Sequence, residues 1–209
     1  MSEKRRFPRD LALSVFHELE PILAPVCEPG GPKEKPWMTV AGSLRRGRAD
    51  VGDIEIVYAP TLGMVPDGLF SSPGNLFNHT LDELLERGVI AKRLTSTGKP
   101  MWGTQNKLAT HVATGLPIDF FSTSVSLFFN YLVCRTGGKA NNEQIATAAH
   151  LRGIAWRPYR GGFEVIDANL ASTAFPEIAI TSGKMLLART EEDVFSLAGL
   201  PFLPPTQRL

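Results

Sequence analysis

The stretch that decides the fold runs from residue 42 to residue 57 and consists of Gly-Ser-Leu-Arg-Arg-Gly-Arg-Ala-Asp-Val-Gly-Asp-Ile-Glu-Ile-Val. It begins with Gly42-Ser43 after an apolar run, continues through three arginines, and ends in alternating acidic and apolar residues. Because successive residues of a strand point to opposite faces, Asp53 and Glu55 share one face, one pleat apart. The stretch therefore predicts a turn that leads into a strand with two carboxylates on one side.

The residue types in this stretch suit the binding of a metal-bound triphosphate. Two close carboxylates repel each other unless a cation lies between them. Their hard oxygen atoms suit Mg²⁺, which takes the rest of its shell from water and substrate phosphates. Backbone N–H groups at a tight turn form a phosphate cradle, and Arg45, Arg46 and Arg48 add positive charge beside it. The alternative is an ordinary buried strand after a turn, with a solvated edge of arginine and aspartate.

Asp119 is the third acidic candidate, and it interrupts the apolar run Leu-Pro-Ile-Asp-Phe-Phe at residues 116–121. A carboxylate in such a run is costly to bury unless it is paired or bound to a metal. Pro117 makes an edge strand with Asp119 turned towards solvent an equal alternative. Beside Asp53 and Glu55, however, a third carboxylate on an adjacent strand would complete a two-metal site, and we assign Asp119 to that role.

Composition limits the class of protein. The chain has 209 residues with 43% hydrophobic and 21% charged residues, which is typical of one large or two small globular domains. No apolar run is long enough to span a bilayer, and the first residues lack an apolar signal core. We therefore expect a cytoplasmic, intracellular protein with no membrane partner. Cys27 and Cys134 make no disulfide framework and have no neighbour at zinc-site spacing.

The charge balance permits a nucleic-acid partner without demanding one. There are 22 lysine and arginine residues against 21 acidic residues, and the formal net charge is +1. Basic residues occur in local clusters rather than in the stripe that nucleic-acid proteins usually show. We interpret the first cluster, Lys4-Arg5-Arg6, as a solvated, frayed terminus.

Periodicity and turn residues predict the order of elements. The predicted helices cover 8–24, 75–87, 128–133, 143–152 and 194–198, and the predicted strands cover 37–41, 51–58 and 89–94. Residues 61–74 are rich in Gly, Pro and Ser and indicate a loop. Two short hairpin strands are predicted at 101–115, a hairpin at 155–165 and further β-structure at 177–188.

The motif at residues 42–57 resembles known enzymes. Gly42-Ser43 followed by Gly52-Asp53-Ile54-Glu55 is similar to the nucleotidyltransferase superfamily signature, and the fuller string resembles the DNA polymerase X family. The Thr136-Gly137 turn before a helix and the Pro-rich C-terminal tail also resemble this family. The resemblance covers nearly the whole chain after Val40, and its minimal length is similar to that of short viral members.

The resemblance implies an α+β fold with two parts. Residues 1–133 would form an N-terminal helix and a catalytic nucleotidyltransferase palm, with a mixed β-sheet and helices on one of its faces. Residues 134–209 would form a small α/β C-terminal subdomain that contacts the nucleotide and the base.

The resemblance also assigns roles to residues. Asp53 and Glu55 would bridge two Mg²⁺ ions, for which Mn²⁺ is an acceptable substitute, and Asp119 would bind the ion that activates the 3′-hydroxyl. Ser43 would hold the β- and γ-phosphates, and Arg46 would neutralise the leaving pyrophosphate. The full implied nucleotide-binding set is Gly42, Ser43, Arg46, Gly52, Thr136, Gly137 and Asn142.

The implied activity is that of a DNA-directed DNA polymerase that extends a primer 3′-OH, as in short-gap repair synthesis. Its partners would be a deoxynucleoside triphosphate, or alternatively a ribonucleoside triphosphate, with primer–template or gapped DNA and an accessory repair protein. A template-independent nucleotidyltransferase acting on a 3′ end or a small molecule is the main alternative. A catalytically weak nucleic-acid-binding module is a third, which the complete set of acids disfavours.

Four positions depart from the family pattern. Glu55 stands where relatives of polymerase beta usually carry aspartate. Cys134-Arg135 replaces an aromatic pair that helps to exclude ribonucleotides, so we expect a loosely packed sugar pocket. Ala146 replaces a template-checking arginine.

Overall fold

The chain folds into two compact units, Met1–Val125 and Ser126–Leu209. The structure is a computed structural model, and it describes residues 5–30, 34–67 and 70–209. Both units combine helices with β-strands, which confirms the predicted α+β class. Among the described residues, no helix combines the length and the apolar character that crossing a membrane requires.

The boundary between the two units lies between Val125 and Ser126. The predicted boundary lies between residues 133 and 134. Both of those residues lie inside the helix Phe128–Thr136. Val133 is fully buried in the core of the second unit. Because one helix buries one continuous face, the whole helix falls within the second unit, and the division precedes it.

The first unit is built on strands that alternate with two long helices. Its described strands are β1 (Phe7–Pro8), β2 (Met38–Val40), β3 (Asp50–Val51), β4 (Ile54–Tyr58), β5 (Leu62–Asp67), β6 (Phe70–Asn75), β7 (Ile90–Lys92), β8 (Asn106–His111) and β9 (Pro117–Ser122). Its described helices are α1 (Arg9–Leu23), α2 (Gly42–Arg45) and α3 (Leu76–Glu86).

The central sheet of this unit is mixed and has the strand order β2-β4-β9-β8-β7. Strands β4 and β9 run parallel, and the other neighbours are antiparallel. The buried face of β4 and β9 packs with α1 and α3 in one hydrophobic core. Ile54, Ile56, Ile118 and Phe120 are fully buried there. Alternation along each strand therefore directs Glu55 and Asp119 to the face opposite these helices.

Strand β9 lies in the interior of the sheet, between β4 and β8. The alternative of an edge strand for Asp119 is therefore wrong. Pro117 is compatible with an interior strand because it occupies the first position of β9, where a missing N–H costs least.

The predicted loop at residues 61–74 is instead an antiparallel ribbon of β5 and β6. Each strand of a two-stranded ribbon has a hydrogen-bonded neighbour on one side only. The missing N–H groups of Pro66 and Pro73 therefore interrupt no strand pairing on the outer edges of the ribbon. Its side chains Leu62 and Met64 are exposed. The Gly, Pro and Ser content is consistent with the exposure of this segment, but the loop it predicted is a pair of strands.

The second unit places four helices around a three-stranded sheet in the described chain. Its helices are α4 (Phe128–Thr136), α5 (Lys139–Leu151), α6 (Ala168–Ala174) and α7 (Glu191–Ala198), and its strands are β10 (Ile154–Arg157), β11 (Gly162–Val165) and β12 (Met185–Leu186). The strand order is β10-β11-β12, all antiparallel.

Local capping explains where two of these helices begin. A capping box starts α7, because the Thr190 hydroxyl accepts from the Asp193 N–H and the Asp193 carboxylate accepts from the Thr190 N–H. Helix α6 was missed, although Asp167 caps it through the N–H groups of Asn169 and Leu170. The β-structure predicted at 177–188 is limited to β12.

The C-terminal tail closes the second unit over a buried arginine. The Arg208 side chain is fully buried, forms an ion pair with Glu191, and donates from Nε to the Leu203 carbonyl at 2.8 Å. Its guanidinium lies 5.1 Å from the Phe195 ring centre and 5.4 Å from that of Phe202. A charge buried this deeply requires such partners, so the tail is an integral part of the fold.

Candidate active site

The three predicted acids lie on one face of the central sheet. Glu55 on β4 and Asp119 on β9 are direct partners across the parallel strands. Asp53 directly precedes β4, two residues before Glu55, and so points to the same side. Glu55 and Asp119 are both half-buried. The sheet thus brings together two carboxylates that are 64 residues apart, with the third beside them.

A row of neighbouring residues crosses the sheet through these acids. The Ala41 N–H donates to the Glu55 carbonyl at 2.7 Å, and Leu108 pairs with Asp119 on the other side. The Arg93 N–H donates to the Leu108 carbonyl at 2.9 Å, which places Arg93 at the end of this row. Cross-strand partners share a face, so the row carries acids at its centre and a cation at one end.

Arg93 contacts the third acid directly. Its Nη2 atom lies 2.5 Å from the Asp119 Oδ1 atom, and the two side chains are 26% and 16% exposed. The local sequence pattern does not predict this contact, because Arg93 and Asp119 are 26 residues apart in the chain. The available indication was a basic pair, Lys92-Arg93, at the end of a predicted strand.

The turn at the start of helix α2 packs tightly against Glu55. Gly42 has a φ of +57°, and a Cβ atom placed there would lie 1.8 Å from the Glu55 Oε2 atom. Only glycine combines this backbone conformation with so close an approach. The Gly42-Ser43 turn and the second acid are therefore one packed unit rather than two separate motifs.

If the activity is the nucleotide transfer that the sequence resemblance implies, replacing Gly42 with alanine should reduce it about a hundredfold, since the new methyl group displaces the Glu55 carboxylate, an effect of roughly 2–3 kcal/mol. Gly98→Ala is the matched control: Gly98 has a φ of +74°, but a Cβ there meets nothing within 4 Å. Both variants carry the backbone strain, so comparing their transfer rates isolates the contact with Glu55. Equal rates in the two variants would contradict the role of this packing.

An arginine-lined cavity opens beside the same turn. Its volume is about 410 Å³, and the residues that line it are Arg6, Ser43, Arg46, Arg48, Ala49 and Asp50. Burial lowers the pKa of Arg46, and the nearby Glu55 carboxylate opposes that shift. Three guanidinium groups and a hydroxyl at one cavity suit a polyanionic ligand such as a triphosphate.

Arg6 belongs to this cavity, so the interpretation of its segment as a frayed terminus is wrong for this residue. Strand β1 pairs with β3 through Phe7–Val51 and Pro8–Asp50. Arg6 donates from Nε to the Asp50 carboxylate at 2.7 Å and from Nη2 to the Asp50 carbonyl at 2.8 Å. The sequence offered no periodic pattern for a two-residue strand, and only the distant β3 orders it.

The donor set suits a divalent metal by chemistry and by face. Three carboxylates on one side of a sheet provide the hard oxygen ligands that Mg²⁺ and Mn²⁺ take. Within residues 5–30, 34–67 and 70–209, however, no three Asp, Glu, His or Cys side chains are grouped closely enough to hold a metal ion. Glu55 turns towards Gly42, and Asp119 turns towards Arg93. Metal binding would therefore require these two carboxylates to reorient.

The remaining predicted residues lie in the two units as follows. Gly42, Ser43, Arg46 and Gly52 belong to the first unit with the three acids, and Gly52 is buried between β3 and β4. In the second unit, Thr136 is buried at the end of α4. Gly137 follows it, and a Cβ there would lie 2.4 Å from the Asn141 Nδ2 atom and 2.5 Å from the Asn142 Oδ1 atom.

Asn142 is hydrogen-bonded within the second unit. Its Nδ2 donates to the Cys134 carbonyl at 2.8 Å, and its Oδ1 accepts from Asn141 Nδ2 at 3.2 Å. The amide thereby connects helix α5 to the last turn of α4. Thr136, Gly137 and Asn142 thus form one compact turn, and their contact with a nucleotide stays a prediction.

The pair Cys134-Arg135 packs against two tyrosines, and the loosely packed sugar pocket expected from it stays a prediction. The Arg135 guanidinium lies 5.7 Å from the Tyr131 ring centre and 5.2 Å from that of Tyr159. The Cys134 Sγ atom lies 3.1 Å from the Tyr159 hydroxyl oxygen. Two tyrosines supply the aromatic packing that the pair itself lacks, and the strength of sugar discrimination stays a prediction.

A groove in the second unit combines aromatic and basic side chains. It encloses about 670 Å³ and is lined by Trp156, Arg157, Pro158, Tyr159, Arg160, Glu164 and Met185. Arg157 pairs with Glu164 at 3.2 Å. Tyr159 is 45% exposed, and Arg160 is exposed. An open aromatic ring beside guanidinium groups suits a nucleic-acid strand.

Comparison with known proteins agrees with the resemblance noted in the sequence. No family model matches the chain. The sequence is 26% identical to DNA polymerase lambda of Rattus norvegicus over 212 residues, a match that covers 97% of this chain and 33% of the polymerase. The chain thus spans about a third of the length of this curated relative. Over nearly all of its own length, it is similar to a DNA polymerase of the polymerase X family.

Proposed function

We propose that this protein is a nucleotidyltransferase that acts as a DNA polymerase of the polymerase X type. The observation that carries the proposal is the pairing of Glu55 with Asp119 on parallel strands, with Asp53 two residues before Glu55. Two features support it: the arginine-lined cavity beside Ser43, and the similarity to DNA polymerase lambda along 97% of the chain. The minimal form and the likeness to short viral members stay predictions.

The three acids and the arginine-lined cavity would have separate roles in phosphoryl transfer. Two Mg²⁺ ions held by Asp53, Glu55 and Asp119 would supply the charge that stabilises the attacking and leaving oxygens. Asp119 would orient the primer 3′-hydroxyl and accept its proton. Ser43 would hold the β- and γ-phosphates by hydrogen bonds, and Arg46 would neutralise the leaving pyrophosphate.

The triphosphate site extends to Arg6 in this proposal. Arg6→Gln should raise the KM for the nucleotide about tenfold with little change in kcat, because one charge-assisted contact to phosphate is worth roughly 1.5 kcal/mol. Arg5→Gln removes the neighbouring charge, but Arg5 does not line the cavity. Steady-state kinetics at saturating DNA compare the two. An unchanged KM in Arg6→Gln would remove this residue from the site.

DNA is the proposed partner, and the groove lined by Trp156 and Arg160 is its proposed contact in the second unit. Arg160→Gln should weaken the binding of a labelled single strand about threefold and reduce the salt slope by about 0.7, the value of one phosphate on a single strand. Arg189→Gln is a charge-matched control at an exposed position in the same unit. Fluorescence anisotropy over a salt series measures both. An equal loss in the two variants would point to diffuse electrostatics rather than a groove.

Primer extension with and without a template strand tests the proposed function. A templated polymerase should add the complementary nucleotide to gapped DNA, as in short-gap repair, and should stall on a single-stranded primer. Addition to the unpaired primer at a similar rate would favour the second candidate, a template-independent nucleotidyltransferase. The net charge of +1 and Ala146 in place of an arginine favour that candidate. Parallel reactions with ribonucleoside triphosphates would measure the choice of sugar.

A further inference from the structure

We propose that Arg93 is a positioning residue that binds the Asp119 carboxylate and competes with a divalent cation for its Oδ1 atom. This inference rests on the proposed function, because it concerns the same carboxylate site. It adds a residue from a different strand whose charge sets the affinity for metal. Neither the sequence motif nor the similarity to a polymerase assigns a role to this arginine.

The contact is built into the sheet. Arg93 extends the row formed by Glu55, Asp119 and Leu108, because its N–H donates to the Leu108 carbonyl at 2.9 Å. Its Nη2 reaches Asp119 Oδ1 at 2.5 Å, with both side chains largely buried at 26% and 16% exposure. Partial burial reduces solvent screening, so this pair is stronger than a surface ion pair.

A guanidinium and a divalent cation compete for the same carboxylate. The hydrogen bond from Nη2 to Oδ1 draws on the negative charge that a metal ion would need from the same oxygen. The fixed positive charge of Arg93 also repels any cation that approaches the three acids. Both effects predict that the arginine lowers the affinity for metal until a substrate brings further negative charge.

A purely orienting role for Arg93 predicts the opposite change in metal affinity. If Arg93 only orients Asp119 and remains bound to it beside the metal, its removal frees the carboxylate to turn away from the site. Metal affinity would then fall. The sign of the change in affinity therefore separates the proposed competition from simple orientation.

Mn²⁺ titration of the whole chain without nucleotide or DNA tests the proposal, with free Mn²⁺ followed by electron paramagnetic resonance. Arg93→Gln should bind Mn²⁺ about tenfold more tightly than wild type. Arg93→Lys, which keeps the charge, should stay within about threefold of wild type. Lys92→Gln removes the same charge from the adjacent exposed residue, whose Nζ lies 5.2 Å from the Trp102 ring centre, and should change affinity less than twofold.

The Asp119→Asn background shows whether the effect passes through this carboxylate. There, Arg93→Gln should no longer tighten Mn²⁺ binding, because no ionised third acid remains. Thermal unfolding of each variant confirms that it folds. Unchanged, weaker or undetectable Mn²⁺ binding in a folded Arg93→Gln protein would overturn the proposal. Tighter Mn²⁺ binding by Arg93→Gln, together with no nucleotide transfer by the wild type, would support the role of Arg93 and refute the polymerase function.

Discussion

Replacing Asp119 with alanine should reduce nucleotide transfer at least a thousandfold and leave the fold intact. Asp53→Ala and Glu55→Ala should have effects of similar size. In the proposed mechanism, each change removes a carboxylate that would hold the metal charge stabilising the transition state, an effect of several kcal/mol, and about 4 kcal/mol corresponds to a thousandfold. Glu55 and Asp119 are neighbours on parallel strands and Asp53 directly precedes β4, so in the proposed site the loss of any one acid leaves an incomplete ligand set.

Single-turnover extension of a gapped substrate measures this effect without interference from product release. Glu83→Gln is the control, because Glu83 lies on α3 and its carboxylate is partly exposed beside His79. Circular dichroism should show the same helical content in all of these variants. Near-normal turnover in Asp119→Ala would show that the third ligand has been assigned to the wrong residue.

The local part of this site could be predicted from the sequence. Asp53 and Glu55 share a face because they are two residues apart in an extended segment, and no distant contact is needed to see it. The assignment of Gly42 to a turn likewise needed only the local sequence, because Gly42-Ser43 follows an apolar run. The structure adds that its missing side chain makes room for Glu55, a contact that depends on how the turn folds back onto β4.

The rest of the site depends on pairing between distant strands, which residue patterns do not encode. Asp119 neighbours Glu55 only because β9 inserts between β4 and β8. Arg93 reaches Asp119 across Leu108, and Arg6 joins Ser43 through the short pairing of β1 with β3. Each of these contacts depends on a register and a strand order that many sequences with the same local pattern would not share.

In the second unit, too, a contact between residues distant in the sequence could not be predicted from the local pattern. Cys134 and Arg135 have small or flexible side chains, and alone they indicated a loose pocket. The structure supplies Tyr159 from the turn after β10, which packs on Arg135 and contacts Cys134. Packing by a residue more than twenty positions away could not be predicted from the pair itself, and the looseness of the sugar pocket stays a prediction.

Replacing Arg208 with methionine should destabilise the second unit by about 3–5 kcal/mol, the cost of leaving one member of a buried ion pair without its partner. Arg208 is fully buried, and Glu191 is only 12% exposed. Hydrogen exchange in α4 and α7, combined with urea unfolding, would measure the loss. Arg189→Met is the control at an exposed site in the same unit and should cost less than about 0.5 kcal/mol.

The double variant Arg208→Met/Glu191→Leu shows which part of this cost is electrostatic. Apolar groups of similar volume often replace a buried ion pair with little loss, so the double variant should recover more than half of the stability lost in Arg208→Met. The methionine would still pack between the rings of Phe195 and Phe202, which now flank the guanidinium. If the double variant is as unstable as the single one, the hydrogen bond from Arg208 to the Leu203 carbonyl, rather than the ion pair, anchors the tail.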